Sequence, residues 1–266
     1  SSDLGPALVV LAAEPLYLLV DTAVVGHLGS DALAALAVGG TVMAATAWLG
    51  TALAYGTTAR AARRFGAGER EAAVAEGVQA SWLALGLGVL LAVVGQVAAA
   101  PVAAAMAGGD PRVGAAAAGW LRIALLGVPG LLLATAGHGW LRGVQDYRRP
   151  LRYVIGANLL SAGLCPVLVY PVGLGLTGSA VANVVAQTLA GSLFVRSLVA
   201  ERVSLRPRPV VLLRQAALGR DLLVRGAAMQ ACFLSAVAVA ARFGAAAVAA
   251  HQIAIQIGRA SCRERV

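Results

Sequence analysis

Two acidic residues lie in the first apolar stretch of the chain, Glu14-Pro-Leu-Tyr-Leu-Leu-Val-Asp21-Thr-Ala-Val-Val-Gly26. A charged side chain at bilayer depth costs about 2.5–3.5 kcal/mol on insertion scales, so it usually serves an ion or proton path, a substrate counter-charge or a buried partner. Glu14 precedes Asp21 by seven residues, which is about two helical turns and places both on one helix face. We therefore predict that Asp21 and Glu14 are functional residues that serve an ion or a proton, a substrate charge or a buried partner.

A buried carboxylate suits this chemistry because burial favours its protonated form while a bound cation favours its ionised form. Proton and cation would then compete for one group. Pro6 and Pro15 remove backbone donors, so the first helix can bend where neighbouring groups satisfy the freed carbonyls. Sodium is the rival coupling ion, since a hard cation takes several oxygen ligands.

The composition identifies a membrane protein. Hydrophobic residues make up 59% of the chain and charged residues 12%, against about 25% charged in soluble domains, and the mean hydropathy is +0.81. A membrane helix needs about 20 apolar residues, and the uncharged stretches supply them. They predict an all-α helix bundle with helices near 5–27, 34–59, 76–104, 114–142, 151–170, 175–197 and 219–243, and an eighth starting near 247.

The positions of the basic residues indicate topology. All 21 are arginine, with four in 60–70, four in 142–152 and seven in 196–225. The alternate connections hold only Arg112 and Arg122. Cytoplasmic loops are enriched in Lys and Arg, so we predict a multi-pass protein of the inner (plasma) membrane with a cytoplasmic N-terminus. The net charge of +9 therefore gives no reason to expect a nucleic-acid partner.

The chain divides into four predicted segments. Residues 1–197 form one complete six-helix lobe, 198–218 a cytoplasmic linker, and 219–257 the start of a second lobe. Residues 23–35 align without gaps on 238–250 across six helices, as expected of parallel repeats. Residues 258–266 replace the apolar pattern abruptly, and we interpret them as a sequencing-adapter artefact.

Three motifs resemble the multidrug and toxic compound extrusion (MATE) family, in particular its DNA-damage-inducible F-like branch. They are Ala13-Glu-Pro-Leu-Tyr-Leu-Leu-Val-Asp-Thr-Ala-Val-Val-Gly26, Tyr55-Gly-Thr-Thr-Ala-Arg-Ala-Ala-Arg-Arg-Phe-Gly-Ala-Gly68 and Leu141-Arg-Gly-Val-Gln-Asp-Tyr-Arg-Arg-Pro-Leu151. The resemblance implies a twelve-helix antiporter with two pseudo-symmetric lobes that exports organic cations or drugs against a proton or sodium gradient. It implies a monomer in the lipid bilayer, small cationic substrates and no cofactor beyond the coupling ion.

The resemblance also assigns individual residues. Asp21 matches the family's first-helix Asp, and Pro6 matches its helix-bending Pro. Polar side chains that would line the cavity are Asn158, Ser161 and Asn183. In the fifth helix the family often has an Asn and, four residues later, an Asp, where this chain has Ser161 and Cys165. Because the second carboxylate is missing, we favour H⁺ over Na⁺, with Asp21 as the place for Na⁺ if sodium is used.

Other classes of function fit less well. An intramembrane aspartyl protease needs a second membrane aspartate and a metalloenzyme needs a motif such as HExxH, and neither is present. We therefore predict that the chain is not an enzyme. A flippase for lipid-linked precursors would need Arg facing its cavity to bind an anionic diphosphate, whereas these arginines lie mostly in loops. A third interpretation is a truncated fragment that transports nothing, because alternating access needs two lobes.

Overall fold

A computed structural model describes residues 19–241, and over that range the chain is helical with no β-strand. The first helix, α1, is described over 19–26. The helices that follow are α2 (Ser30–Gly66), α3 (Arg70–Met106), α4 (Pro111–Ala124), α5 (Val128–Gly143), α6 (Arg148–Val169), α7 (Leu176–Ala200) and α8 (Pro209–Ala241). Five stretches are long and apolar enough to cross a membrane: α2, α3, α4 with α5, α6 and α7. The predicted all-α membrane bundle is confirmed.

The two longest helices extend past the ends predicted from the apolar pattern. Both α2 and α3 have 37 residues, or about 55 Å of helix, compared with about 30 Å of hydrocarbon. Arg63 and Arg64 lie in the last turn of α2, and Glu71 lies in the first turn of α3. The basic residues at a helix C-terminus and the acidic residue at a helix N-terminus interact favourably with the helix dipole. The helices therefore extend beyond the hydrocarbon region, into the headgroup region. The pattern of apolar residues ends at the first charge, so it gave helices that were too short.

The predicted helix 114–142 is a pair of α-helices joined by one 3₁₀ turn, Leu125–Gly127. Pro129 lies in the first turn of α5 and has no backbone N–H, so a regular α-helical bond is lost at this point. At the other end of α4, the Asp110 side chain accepts the backbone N–H of Arg112 at 2.8 Å. This cap fixes where α4 begins.

α5 is the central helix of the bundle and packs against α2, α3 and α7. The α5–α7 crossing brings two glycines together, since a Cβ on Gly191 would lie 2.7 Å from the carbonyl oxygen of Gly130. Thr58 Oγ1 on α2 donates to the carbonyl of Gly139 on α5 at 2.9 Å. Small residues and interhelical hydrogen bonds of this kind drive helix packing in membranes.

The predicted linker over 198–218 is shorter in the structure. α7 continues to Ala200 and α8 begins at Pro209, in its first turn, where Pro is tolerated. The segment between them is held by α3: the Gln79 side-chain amide donates to the carbonyl of Arg206 at 2.9 Å and accepts the N–H of Arg208 at 2.6 Å. By its contacts the chain forms two units, 1–219 and 220–266. The predicted domain boundaries stay a prediction.

Candidate functional site

Asp21 on α1 is buried, with 6% of its surface exposed, and accepts two hydrogen bonds on the same oxygen, Oδ1. The donors are the Cys165 thiol on α6 at 3.1 Å and the Ser179 hydroxyl on α7 at 2.8 Å. Ser179 Oγ in turn accepts the indole N–H of Trp120 on α4 at 3.3 Å. We call these four residues the Asp21 cluster. It joins four helices through one carboxylate.

Apolar contacts hold α1 against α6 and α7 around this carboxylate. Val24 packs against a small buried group formed by Cys165, Val169 and Ala182. The Tyr170 hydroxyl at the end of α6 donates to the carbonyl of Val24 at 2.7 Å. The turn that follows Asp21 is therefore fixed to α6, and the Asp21 carboxylate is directed towards Cys165 and Ser179.

Trp120 reaches the cluster because α2 has a glycine opposite it. A Cβ on Gly39 would collide with the Trp120 ring at Cε3, so only glycine leaves room for the indole. Trp120 is itself buried, as are its neighbours Leu121 and Ala117. The indole N–H thus has a rigid position from which it donates to Ser179.

Asp21 differs from the half-buried carboxylates of Glu76 and Glu201 in having no basic partner among the residues that the structure describes. Glu76 pairs with Arg60 at 2.8 Å. Glu201 lies 3.0 Å from both Arg70 and Arg149. Within 19–241, Asp21 is also the one charged residue that is buried. A carboxylate buried with neutral donors only is a group that can exchange a proton or a cation.

The other predicted residues have different positions. Ser161 is 2% exposed, lies one turn before Cys165, and its Oγ has no hydrogen-bond partner in the described part of the chain. Asn158 and Asn183 are half-buried, and Asn183 follows Ser179 by one turn of α7. The structure therefore brings Cys165 to Asp21, with Ser161 nearby on the same face of α6. Glu14, Pro6 and Pro15 lie outside the described residues.

Sequence reasoning missed Ser179 and Trp120. Ser179 had a signal, because it lies four residues before Asn183 and so shares its face of α7. Trp120 had none, since it is 59 residues from Ser179 in an apolar segment. An indole in such a segment is normally a packing residue, and its hydrogen bond depends on the helix arrangement.

A comparison with known families decides the identity of this bundle. The MatE family model matches residues 6–167. The chain belongs to the MatE family. Among curated MatE relatives, it is 33% identical over 252 residues to DNA damage-inducible protein F of Escherichia coli, covering 90% of this chain and 54% of the relative. It is 32% identical to Protein DETOXIFICATION 44, chloroplastic, of Arabidopsis thaliana, covering 95% and 51%.

Solved MatE structures agree in fold. A MATE protein crystallised with the ligand MaD3S has a TM-score of 0.77 at 26% identity, covering 92% of this chain and 57% of that one. A MOP superfamily transporter from Pyrococcus furiosus gives 0.76 at 26% identity, covering 96% and 58%. This chain thus spans about half the length of its relatives. The match to membrane transporters confirms the predicted family and the predicted non-enzymatic class.

Proposed function

We propose that this chain forms the first lobe of an antiporter that exports organic cations or drugs by alternating access, with protons as the coupling ion. The observation that carries the proposal is the Asp21 carboxylate, buried among four helices and bonded to neutral donors. A carboxylate without a fixed positive partner can become neutral by binding a proton. It can instead stay ionised and pair with a bound cation. These two states are mutually exclusive, which supplies the coupling.

The composition of the cluster favours protons over sodium. Sodium needs several oxygen ligands, and carboxylates are the best of them. The thiol of Cys165, 3.1 Å from Asp21 Oδ1, occupies the position where the resemblance gives a second acid. Sulfur is a soft ligand and a poor one for a hard cation. A proton, in contrast, needs only the one carboxylate oxygen of Asp21 as its acceptor.

The distribution of charge favours a cationic cargo. Most arginines of the described residues lie near helix ends and in connections, and those farther inside helices, Arg122, Arg220 and Arg225, are exposed. Asp21 is the buried charge within the bundle. An anionic headgroup would need buried guanidinium groups. In the Pyrococcus furiosus relative, a reversed polarity of the binding pocket suggests a different function. We therefore infer a cationic cargo from the negative charge of Asp21 inside the bundle.

Coupling follows from the contacts of α1. When Asp21 is ionised, it accepts hydrogen bonds from both α6 and α7 with full charge assistance, and α1 is held to these helices. Protonation weakens both bonds, and α1 is freer to bend towards its N-terminal side. A related MATE protein has been crystallised in bent and straight conformations. We propose the same type of change for this chain.

The test uses the gene expressed at its genomic length, purified and reconstituted into proteoliposomes. A fluorescent organic cation is loaded and an inward proton gradient is applied. We expect cation efflux that depends on the gradient, with Asp21→Asn reducing it at least tenfold. The matched control is Asp31→Asn, because Asp31 is exposed in the first turn of α2, and it should transport normally.

Three results would contradict parts of the proposal. Undiminished exchange by Asp21→Asn would remove Asp21 from coupling. Efflux driven equally well by a sodium gradient at constant pH would replace the proton as coupling ion. Transport of an anionic lipid precursor in place of the cation would favour the flippase alternative.

A further inference from the structure

We propose that Ser179, oriented by Trp120, is a positioning residue that sets the pH at which Asp21 exchanges its proton. This inference rests on the proposed function and adds to it. The chain of bonds runs from Trp120 Nε1 to Ser179 Oγ at 3.3 Å and from Ser179 Oγ to Asp21 Oδ1 at 2.8 Å. All three side chains are buried.

The donor and acceptor capacities of Trp120 and Ser179 fix the direction of these two hydrogen bonds. An indole N–H can only donate, so Ser179 must accept from Trp120 through a lone pair. A serine hydroxyl has a single hydrogen, and here that hydrogen is directed at Asp21. Trp120 occupies one side of the Ser179 oxygen and thereby disfavours the rotations that would turn the hydrogen away from the carboxylate. The pair thus acts on Asp21 as one oriented donor.

An oriented donor stabilises the ionised carboxylate more than the protonated one. Burial acts in the opposite direction, because it penalises charge. Since Asp21 has no basic neighbour among the residues described, neutral donors must supply this stabilisation. Removing the Ser179 hydroxyl should therefore let Asp21 hold its proton to higher pH. A hydrogen bond to a charged group corresponds to a shift of about one pH unit.

Among the described residues, few other groups that titrate lie near this carboxylate. On α6 they are the Cys165 thiol, which bonds Asp21, and the Tyr170 hydroxyl, which bonds the carbonyl of Val24. On α1, the His27 ring contacts the carbonyl of Ala23 and is exposed. α4 and α7 present Trp120 and Ser179, neither of which titrates. Of the residues described, Asp21 is therefore the group to which a change in the pH profile after a Ser179 substitution is assigned.

The experiment measures the pH midpoint of exchange for the full-length transporter in proteoliposomes. Ser179→Ala should move the midpoint about one pH unit to the alkaline side, and Ser179→Thr, which keeps the hydroxyl, should restore it. Trp120→Phe should move it in the same direction by a smaller amount. Ser192→Ala is the matched control, because Ser192 is exposed on α7 and donates only within its own helix, to Thr188.

A second readout separates this inference from the proposed function. Infrared titration of the purified protein follows the C=O band of the protonated Asp21 acid, which Asp21→Asn removes, and needs no transport. An alkaline shift of that band in Ser179→Ala supports the inference even if transport proves to be uncoupled from protons. Midpoints for Ser179→Ala and Trp120→Phe that equal that of Ser192→Ala would overturn it, while the Asp21→Asn result would still decide the proposed function.

Discussion

Cys165 is the residue in which this chain departs from the pattern of the family it resembles. Its thiol lies 3.1 Å from Asp21 Oδ1 and is 1% exposed, so it shares the carboxylate's environment fully. A thiol and a carboxylic acid are close in size, but they differ in the charge they bring. The identity of this one side chain therefore decides whether the site holds one acid or two.

Cys165→Asp should convert the site into an acid pair. Two carboxylates at hydrogen-bond distance cannot both ionise easily, so one holds a proton to higher pH. We expect the pH midpoint of exchange to move at least one pH unit to the alkaline side, and sodium to begin to support exchange because a second hard ligand is present. The measurement is transport against pH with and without sodium. Cys165→Ser is the control, and if its profile matches that of Cys165→Asp the acid pair does not form.

Some residues of the Asp21 cluster can be predicted from the sequence, and others cannot. Asp21 was found from sequence because a carboxylate in an apolar run is costly wherever it points. Cys165 was noted only as the occupant of a family position. Its bond to Asp21 spans 144 residues and the Trp120–Ser179 bond spans 59. Cys165, Ser179 and Trp120 carry no charge, so only the arrangement of the helices reveals these contacts.

Among the helices, one acidic residue forms ion pairs with arginines in the first turns of both α3 and α6. Glu201, immediately after α7, lies 3.0 Å from Arg70 at the start of α3 and from Arg149 at the start of α6. Burial alone would raise the pKa of the Glu201 carboxyl, but hydrogen bonds and charge from Arg70 and Arg149 outweigh it and lower that pKa. One carboxylate therefore links three helix ends.

This link makes stability depend on pH in a defined direction. A carboxyl whose folded pKa is lowered stabilises the protein above its unfolded pKa of about 4.3, and that stabilisation is lost as pH falls through the folded value. We expect Glu201→Gln to lower the free energy of unfolding by about 1–2 kcal/mol at pH 7. The difference in stability between the variant and the original protein should then shrink as pH falls below about 4.3.

Thermal unfolding in detergent between pH 7 and pH 3.5 measures this difference. Glu69→Gln is the control, because Glu69 and its partner Arg64 are each about half exposed, at 51% and 52%, and such pairs contribute little. A Glu201→Gln protein that remains less stable by the same amount at every pH would show that the contribution of Glu201 is not ionic.

Helix ends and the α7–α8 connection were the least predictable elements. Apolar stretches identified the helices, but charged turns such as Arg63–Arg64 continue them past the bilayer limit. The connection was predicted as 198–218 because its arginines and prolines read as surface. Gln79 holds that segment through bonds that span 127 and 129 residues. Trp82 Nε1 adds a bond to the carbonyl of Leu205 at 2.8 Å. Such contacts leave no local trace in the sequence.

At the scale of the whole molecule, the arginines divide the connections into two sets. The α2–α3, α5–α6 and α7–α8 connections are flanked by Arg60–Arg70, Arg142–Arg152 and Arg196–Arg214. The remaining connections, which follow α1, α3 and α6, have only Arg112 and Arg122 nearby. If each apolar stretch crosses the bilayer once, the helix order would put the first set of connections on one side and the second set on the other. By the positive-inside rule we predict that the arginine-rich side is cytoplasmic, with the N-terminus on the same side.

This topology predicts which positions a membrane-impermeant maleimide can reach in intact cells. In a background with Cys165, Cys232 and Cys262 replaced by serine, Val172→Cys tests the α6–α7 connection and Leu205→Cys tests the α7–α8 connection. Both positions are exposed, at 55% and 41%, so access depends on the side of the membrane and not on burial. We expect Val172→Cys to label in intact cells and Leu205→Cys only after permeabilisation. The reverse pattern would place the arginine-rich connections outside and would turn the proposed direction of cation export around.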